Sequence, residues 1–280
     1  MSYKHTNHRA AVPPVSLGVQ RPRWSVMIPT YNGAAYLAAT LESVLQQAPG
    51  PSEMQIAVVD DCSTADDPLA VAKSVGAGRV ELFRQPRNVG HVHNFNTCLQ
   101  RSRGLLVHVL HGDDLVRPGF YRTMQRPFDS HPEIGAAFCS YVAMDEQGRG
   151  HTTAPRLRDE SGILEGWLEE IAVAQRLQAP SMVVRRAVYE KLGGFDDRIR
   201  YYGEDWEMWV RIAAHFPVWY EVEALASYRT HNASLSGRSA LAGDNLRDIM
   251  TAIQLNAELL PPDRVEIADV FLIFRPCPPA

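Results

Sequence analysis

A chain of 280 residues, 45% hydrophobic and 21% charged, has an ordinary soluble composition and length enough for one large α/β domain or two small ones. Its net charge of -4 disfavours a general nucleic-acid binder, because neutralising phosphates needs clustered Lys and Arg. Cys62, Cys98, Cys139 and Cys277 show no C-x-x-C spacing, which argues against a zinc site or a disulfide framework.

Residues 1–22 lack the apolar core of a signal peptide and read as a flexible lead-in. Residues 24–32, WSVMIPTYN, read as a strand stopped at Pro29 and a polar turn. In the next segment Leu37, Leu41, Val44 and Leu45 recur at helical spacing, and Pro49, Gly50 and Pro51 end the helix. A second strand at 54–63 closes on Asp60 and Asp61. A helix capped by Asp67, with Pro68 in its first turn, leads to a third strand at 79–85.

Residues 88–104 predict a helix with Val92, Phe95, Cys98 and Leu99 on one side. The fourth strand, 105–114, runs into Asp113 and Asp114. This β-α alternation predicts a mostly parallel sheet flanked by helices. A further strand is expected at 134–148, and then the pattern becomes irregular. Residues 151–162 read as a polar loop, 181–199 as a strand and short helix, 201–216 as a helix and 218–231 as a late strand. Leu246, Ile249, Met250 and Ile253 mark a helix within 241–260, read as packing on the domain, with a dimer or membrane face as the alternative. No stretch approaches the roughly 18 apolar residues of a membrane helix. A cytoplasmic protein is expected, with loose membrane association left open, as is assembly into a homo-oligomer.

Ligands of open α/β sheets bind at the carboxyl ends of the strands. Thr30-Tyr31-Asn32, Asp60-Asp61 and Asp113-Asp114 all fall there, so adjacent strands would bring them to one crevice. The chain has no G-x-G-x-x-G, no G-x-x-x-x-G-K-[ST], no H-E-x-x-H and no G-x-S-x-G. A carboxylate-lined crevice without a glycine-rich phosphate cradle suggests phosphates held through a hard cation, Mg²⁺ or Mn²⁺.

Six segments carry a resemblance: VMIPTYNGAAYLAATLESVLQQ, IAVVDDCSTADD, NVGHVHNFNTCLQRSRGLLVHVLHGDD, LGGFDD, GEDWEMWVRIA and YRTHNASLS. In this order they resemble the family 2 glycosyltransferases, over about Trp24 to Ser236. The resemblance implies the GT-A fold, a Rossmann-like, mixed but mostly parallel sheet flanked by helices. It implies one domain over 23–236, with a nucleotide half at about 23–130 and an acceptor half at about 131–236; residues 237–280, beyond the resemblance, read from their periodicity as a helical extension. It implies inverting transfer from a nucleoside-diphosphate sugar to an acceptor hydroxyl.

By the same resemblance, Pro29, Thr30, Tyr31 and Asn32 line the nucleotide pocket, and Asp61, beside Asp60, contacts the base. A helix residue within Asn88 to Asn94 helps to hold the nucleotide. Asp113 takes the metal-binding place, with His111 standing where the family's first Asp is usual. Asp114 would orient the loop or a sugar hydroxyl. Asp205 matches the catalytic base, with Glu204 beside it; Trp206 and Trp209 read as core, with Trp206 bordering the acceptor as the alternative. Arg229 and His231 match a late motif near the diphosphate or metal, His231 as a second metal ligand. A uridine donor is the first expectation and thymidine the next; the sugar and the acceptor stay open.

Such residue types suit the reaction. A base on the attacking side removes the acceptor proton, and a cation on the leaving side steadies the departing diphosphate. Taken alone, Asp205 is an ordinary helix N-terminal charge and Asp113-Asp114 an ordinary turn. Two alternatives remain. A sugar-phosphate nucleotidyltransferase would want a glycine-rich basic loop near the N-terminus, and none is present. A nucleotide-sugar-binding protein without turnover is left open by His111.

Overall fold

A computed structural model describes residues 8–231 and 244–261. The order begins β1 (Trp24–Thr30), α1 (Ala34–Leu45), β2 (Met54–Asp60), α2 (Pro68–Gly76), β3 (Glu81–Arg84), α3 (His91–Arg101) and β4 (Leu106–Val109). It continues with β5 (Leu115–Val116), α4 (Phe120–Ser130), β6 (Ala136–Met144), β7 (Gly150–Thr153), β8 (Gly162–Ile163) and α5 (Trp167–Val173). The last elements are β9 (Met182–Arg185), α6 (Arg186–Leu192), α7 (Glu204–Ala213), β10 (Val218–Arg229) and α8 (Asp244–Ala257).

The strands form one mixed sheet with the path β3-β2-β1-β4-β9-β6-β10-β5, while β7 pairs with β6 and β8 with β10. The first four strands by position in this path are parallel, as the β-α alternation predicts. Strand β9 then runs antiparallel between β4 and β6.

Local sequence explains the first half well. Every residue of β1 and β2 is buried, as expected for strands covered on both faces. Leu37, Leu41 and Val44 bury one side of α1, and Asp67 caps α2 by accepting the Ala70 N–H. Gly104 is required where β4 begins, since a Cβ there would lie 2.5 Å from the Ser25 nitrogen.

Three expectations are corrected. Part of the lead-in is docked: Val12 is buried, and Arg9 pairs with Asp196 and Glu207. Its anchor is a buried ionic cluster, in which Glu207 also meets Arg211 at 2.9 Å and the Arg211 guanidinium reaches the carbonyl oxygens of Leu192 and Gly194. Residues 151–162, read as a polar loop, carry most of β7 and the first residue of β8. Helix α8 does pack on the domain, but through Asp248, Ala252, Leu255 and Asn256, leaving Leu246 and Met250 exposed. Its buried face is partly polar because Asp248 has backbone partners to satisfy, which hydrophobic periodicity does not reveal. Residues 232–243 and 262–280, with Cys277 and much of the expected helical extension, lie outside the described residues. No helix among the described residues is long and apolar enough to cross a membrane.

Candidate active site

Because β2, β1 and β4 are neighbours, the three polar strand ends do meet. They open on a cleft of about 620 Å³ that also receives the start of α7 and the end of β10. Pro29, Thr30, Tyr31, Asn32, Asp61, Asn88 and Asn94 line one end. The same cleft holds Asp113, Glu204, Asp205, Arg229 and His231.

The two acids after β2 divide their roles. Asp60 is fully buried away from the cleft; it accepts the Ser63 N–H at 3.1 Å and pairs with Arg84 at 3.0 Å. The expected nucleotide contact by Asp60 is therefore replaced by a turn-holding one, since neighbouring side chains leave a strand in opposite directions. Asp61 turns into the cleft. Its Oδ1 and Oδ2 accept the N–H groups of Val89 and Gly90 at 2.8 and 2.9 Å, tying the loop before α3 to β2. Burial raises its carboxyl above the usual range, against the lowering effect of those two bonds.

Asn32 also does structural work. It sits at φ 49, a conformation Asn tolerates, and its Oδ1 accepts the N–H groups of Thr64 and Ala65. Tyr31 stays 45% exposed, with its ring available to a ligand. Asn94 is buried, donates to the Val59 carbonyl oxygen and accepts from Gln85, so it braces the cleft floor. Asn88 is exposed at the rim.

Ligand atoms of His111, Asp113 and Asp114 all lie within 4.8 Å of one another. His111 stacks on Phe95, with ring centroids 5.0 Å apart, and burial lowers its pKa. Asp113 accepts from His231 Nε2 at 3.0 Å. Burial opposes its ionisation, but that hydrogen bond and the nearby histidines prevail, so it titrates below the usual range. Asp114 is fully buried; its Oδ1 accepts the Arg229 N–H at 2.8 Å, and its Oδ2 has no hydrogen-bond partner among the described residues, with His111 Nδ1 4.0 Å away. Burial and the charge of Asp113 push its carboxyl well up. An orphaned buried carboxylate oxygen beside a second carboxylate and an imidazole is a donor set that suits a hard divalent cation.

Arg229 does not reach towards a ligand with its main donors. Nε donates to the Asp113 carbonyl oxygen at 2.8 Å, and Nη1 to those of Asp145 and Glu146. The side chain instead holds the Asp113 backbone, and its guanidinium lies 4.7 Å from the Tyr36 ring centroid. Trp206 belongs to the core and not to the acceptor border: it is buried, its indole donates to the Ile171 carbonyl oxygen at 2.6 Å, and it does not line the cleft.

At the far end, α7 begins with Glu204 and Asp205. Glu204 lies 3.5 Å from His91 Nε2. Although burial works the other way, His91 holds the Glu204 carboxyl below its usual range. Asp205 accepts from Gln175 Nε2 at 2.9 Å and from the Trp206 N–H at 2.7 Å. Burial first, and the Glu204 charge second, raise its pKa to about 7. A carboxylate poised there can take up a proton near neutral pH. The residues that pattern did not single out are Tyr36, His91, Gln175, Gln178, Tyr201, Tyr202 and Tyr228. His91 and the tyrosines stood inside the quoted motifs or beside them, but nothing in their spacing distinguished them from core or surface residues.

Residues 25–193 match the family model "Glycosyl transferase family 2". An uncharacterized protein of Mycobacterium tuberculosis is 32% identical over 81% of this chain and 73% of its own length. An uncharacterized glycosyltransferase of Rickettsia typhi is 24% identical over 76% of this chain and 65% of its own. The chain thus spans just under three quarters of the first of these relatives and just under two thirds of the second. S. aureus TarS 1-349, solved in complex with UDP-GlcNAc, shares the fold with TM-score 0.71 at 18% identity, covering 89% of this chain and 71% of that one. A mannosyltransferase of Pyrobaculum calidifontis, solved with GDP-Man and Mn²⁺, does so with TM-score 0.58 at 19% identity, covering 96% and 78%. With more than half of its length matched by the family model, the chain belongs to glycosyl transferase family 2 and is a glycosyltransferase built on the GT-A fold.

Proposed function

We propose that the protein transfers a sugar from a nucleoside-diphosphate sugar to an acceptor hydroxyl with inversion, and that Asp205 is the general base. One observation carries this reading: a carboxylate with a pKa of about 7 shares a single cleft with the carboxylate-imidazole cluster at His111, Asp113 and Asp114. The neighbouring folds solved with UDP-GlcNAc and with GDP-Man and Mn²⁺ support a nucleotide-sugar donor of the same kind.

The roles follow from the chemistry of each group. Asp61 and Tyr31 meet the base, Asp61 as hydrogen-bond acceptor and Tyr31 as an exposed ring. An N–H of uracil or thymine suits that acceptor, so a uridine or thymidine donor is favoured. Asp113, with Asp114 and either His111 or His231, would hold Mg²⁺ or Mn²⁺. Such a cation supplies charge neutralisation at the leaving diphosphate. Asp205 takes the proton of the attacking hydroxyl, and Gln175 keeps its carboxylate oriented. Glu204 keeps Asp205 basic through its own charge. Arg229 fixes the Asp113 backbone so that the carboxylate faces the cleft.

A thermal-shift series with UDP-glucose, UDP-GlcNAc, a dTDP-hexose and GDP-mannose, each with and without Mn²⁺, tests the reading. A ligand at 100 times its dissociation constant stabilises by about 2.7 kcal/mol. A metal-dependent shift with one donor is expected; metal-independent behaviour with every donor would defeat the proposal.

A further inference from the structure

The family match ends at residue 193, and α8 begins only at Asp244, yet α8 holds a loop that lines the cleft. Asp248 on α8 is 3% exposed. Its Oδ2 accepts the backbone N–H groups of Arg200 at 3.1 Å, Tyr201 at 2.5 Å and Tyr202 at 3.2 Å. Three donors converging on one carboxylate oxygen hold this short loop in one conformation. Ala252 and Leu255, both buried, anchor α8 itself. Gly203 follows the loop with φ 91, and then come Glu204 and Asp205. The segment that delivers the base is therefore fastened to α8.

The loop turns Tyr201 into the cleft with 43% of its surface exposed. Tyr202, Tyr228, Gln175 and Gln178 line the same cleft. Among the described residues lining the cleft, Arg229 is the sole Lys or Arg, and its Nε and Nη1 are taken by carbonyl oxygens. Glu204 and Asp205 make this end acidic. An acceptor carrying phosphate or carboxylate would meet like charge at this end, where the described lining residues offer no Lys or Arg besides Arg229. A neutral ring rich in hydroxyls would find an aromatic face and amide hydrogen-bond partners.

We propose that the loop held by Asp248 is the acceptor platform, that Tyr201 is its stacking surface, and that the acceptor is an uncharged saccharide. The proposal rests on the glycosyltransferase reading of the cleft. Asp248 is a positioning residue: it acts on the acceptor and on Asp205 only through the backbone of residues 200–202.

The test uses the full chain with Mn²⁺ and whichever nucleotide sugar gives the metal-dependent shift. Cellobiose, lactose and maltose are the neutral probes, and glucose 6-phosphate and glycerol 3-phosphate the charged ones, followed by saturation-transfer NMR and by transfer rate. Neutral probes should bind and be glycosylated. Tyr201→Ala should raise their KM about tenfold, equivalent to about 1.4 kcal/mol, with donor affinity by titration as in the wild type and with Tyr201→Phe close to wild type. Asp248→Ala should raise acceptor KM and lower kcat together, and Asp248→Asn should restore both in large part, because its amide oxygen still accepts N–H bonds. Failure of the wild type to take up any nucleotide sugar defeats the underlying reading. Normal donor uptake with no neutral probe bound, with charged probes bound more tightly, or with an unchanged KM in Tyr201→Ala overturns the platform alone.

Discussion

Glu204 and Asp205 are neighbours in sequence and titrate in opposite directions: His91 holds Glu204 ionised, and the resulting charge, added to burial, keeps Asp205 protonated up to about pH 7. A base must be deprotonated to act. The kcat/KM profile should therefore rise with pH through an acid limb near 7 and level off above it. Glu204→Gln removes the neighbouring charge, lowers the Asp205 pKa and should move that limb to lower pH. A limb unmoved by Glu204→Gln would break the electrostatic link.

Asp205→Asn keeps the shape of the side chain and its acceptor oxygen but removes the basic site. Loss of a general base lowers turnover by about 10²–10⁴-fold, and donor affinity with metal should stay near wild type. The same variant should be more stable than the wild type at high pH. The folded pKa of Asp205 lies above the ordinary carboxylate value, so its ionisation disfavours the folded state as pH rises from about 4 to about 7. The stabilities of the two proteins should run parallel below about pH 4, diverge as pH rises to about 7 and keep a constant separation above it, and curves that stay parallel throughout would contradict the raised pKa.

Asp113→Asn should abolish the effect of Mn²⁺ on nucleotide binding while the melting temperature without ligand stays close to wild type. Asp114→Asn should be milder, because the buried Asp114 carboxyl already favours its neutral form and Asn can still accept the Arg229 N–H. Isothermal titration of UDP with and without Mn²⁺ reads both. Equal metal dependence in wild type and Asp113→Asn would remove Asp113 from the cation site.

Asp61→Ala strips the Val89 and Gly90 N–H groups of their acceptor. Unmade hydrogen bonds of buried groups cost about 1–3 kcal/mol. Nucleotide affinity should fall, and hydrogen exchange at Val89 and Gly90 should quicken in the free protein. Asp60→Ala should destabilise by releasing Ser63 and Arg84 and leave saturable nucleotide binding in place, so calorimetry separates the two neighbours.

Arg211→Met leaves Glu207 buried with only Arg9 to oppose it. Removing one partner of a buried pair typically costs about 3–5 kcal/mol, and the remaining Arg9 contact favours the lower end. Urea denaturation measures it. A loss below about 1 kcal/mol would show that the pair does not hold α7 to residues 192–194.

The sequence by itself determined the elements of the first half and their junctions. Caps such as Asp67, the apolar runs of β1 and β2, and the helical recurrence in α1 act over a few residues, so they are legible without the fold. The three acidic or polar strand ends could likewise be assigned to one crevice, because strand order in a β-α series is tightly constrained. Only the tertiary structure decided which of those residues face a ligand. Asp60 and Asp61 are indistinguishable as letters, and the sheet turns one towards Arg84 and the other towards the cleft. Arg229 reads as a ligand for anions until three carbonyl oxygens are seen around it. Gln175 on Asp205, His231 on Asp113 and Asp248 on residues 200–202 span 30, 118 and 46 to 48 positions of chain. Such contacts carry no local periodicity, since they arise only when packing brings distant polar groups together and burial obliges them to find partners.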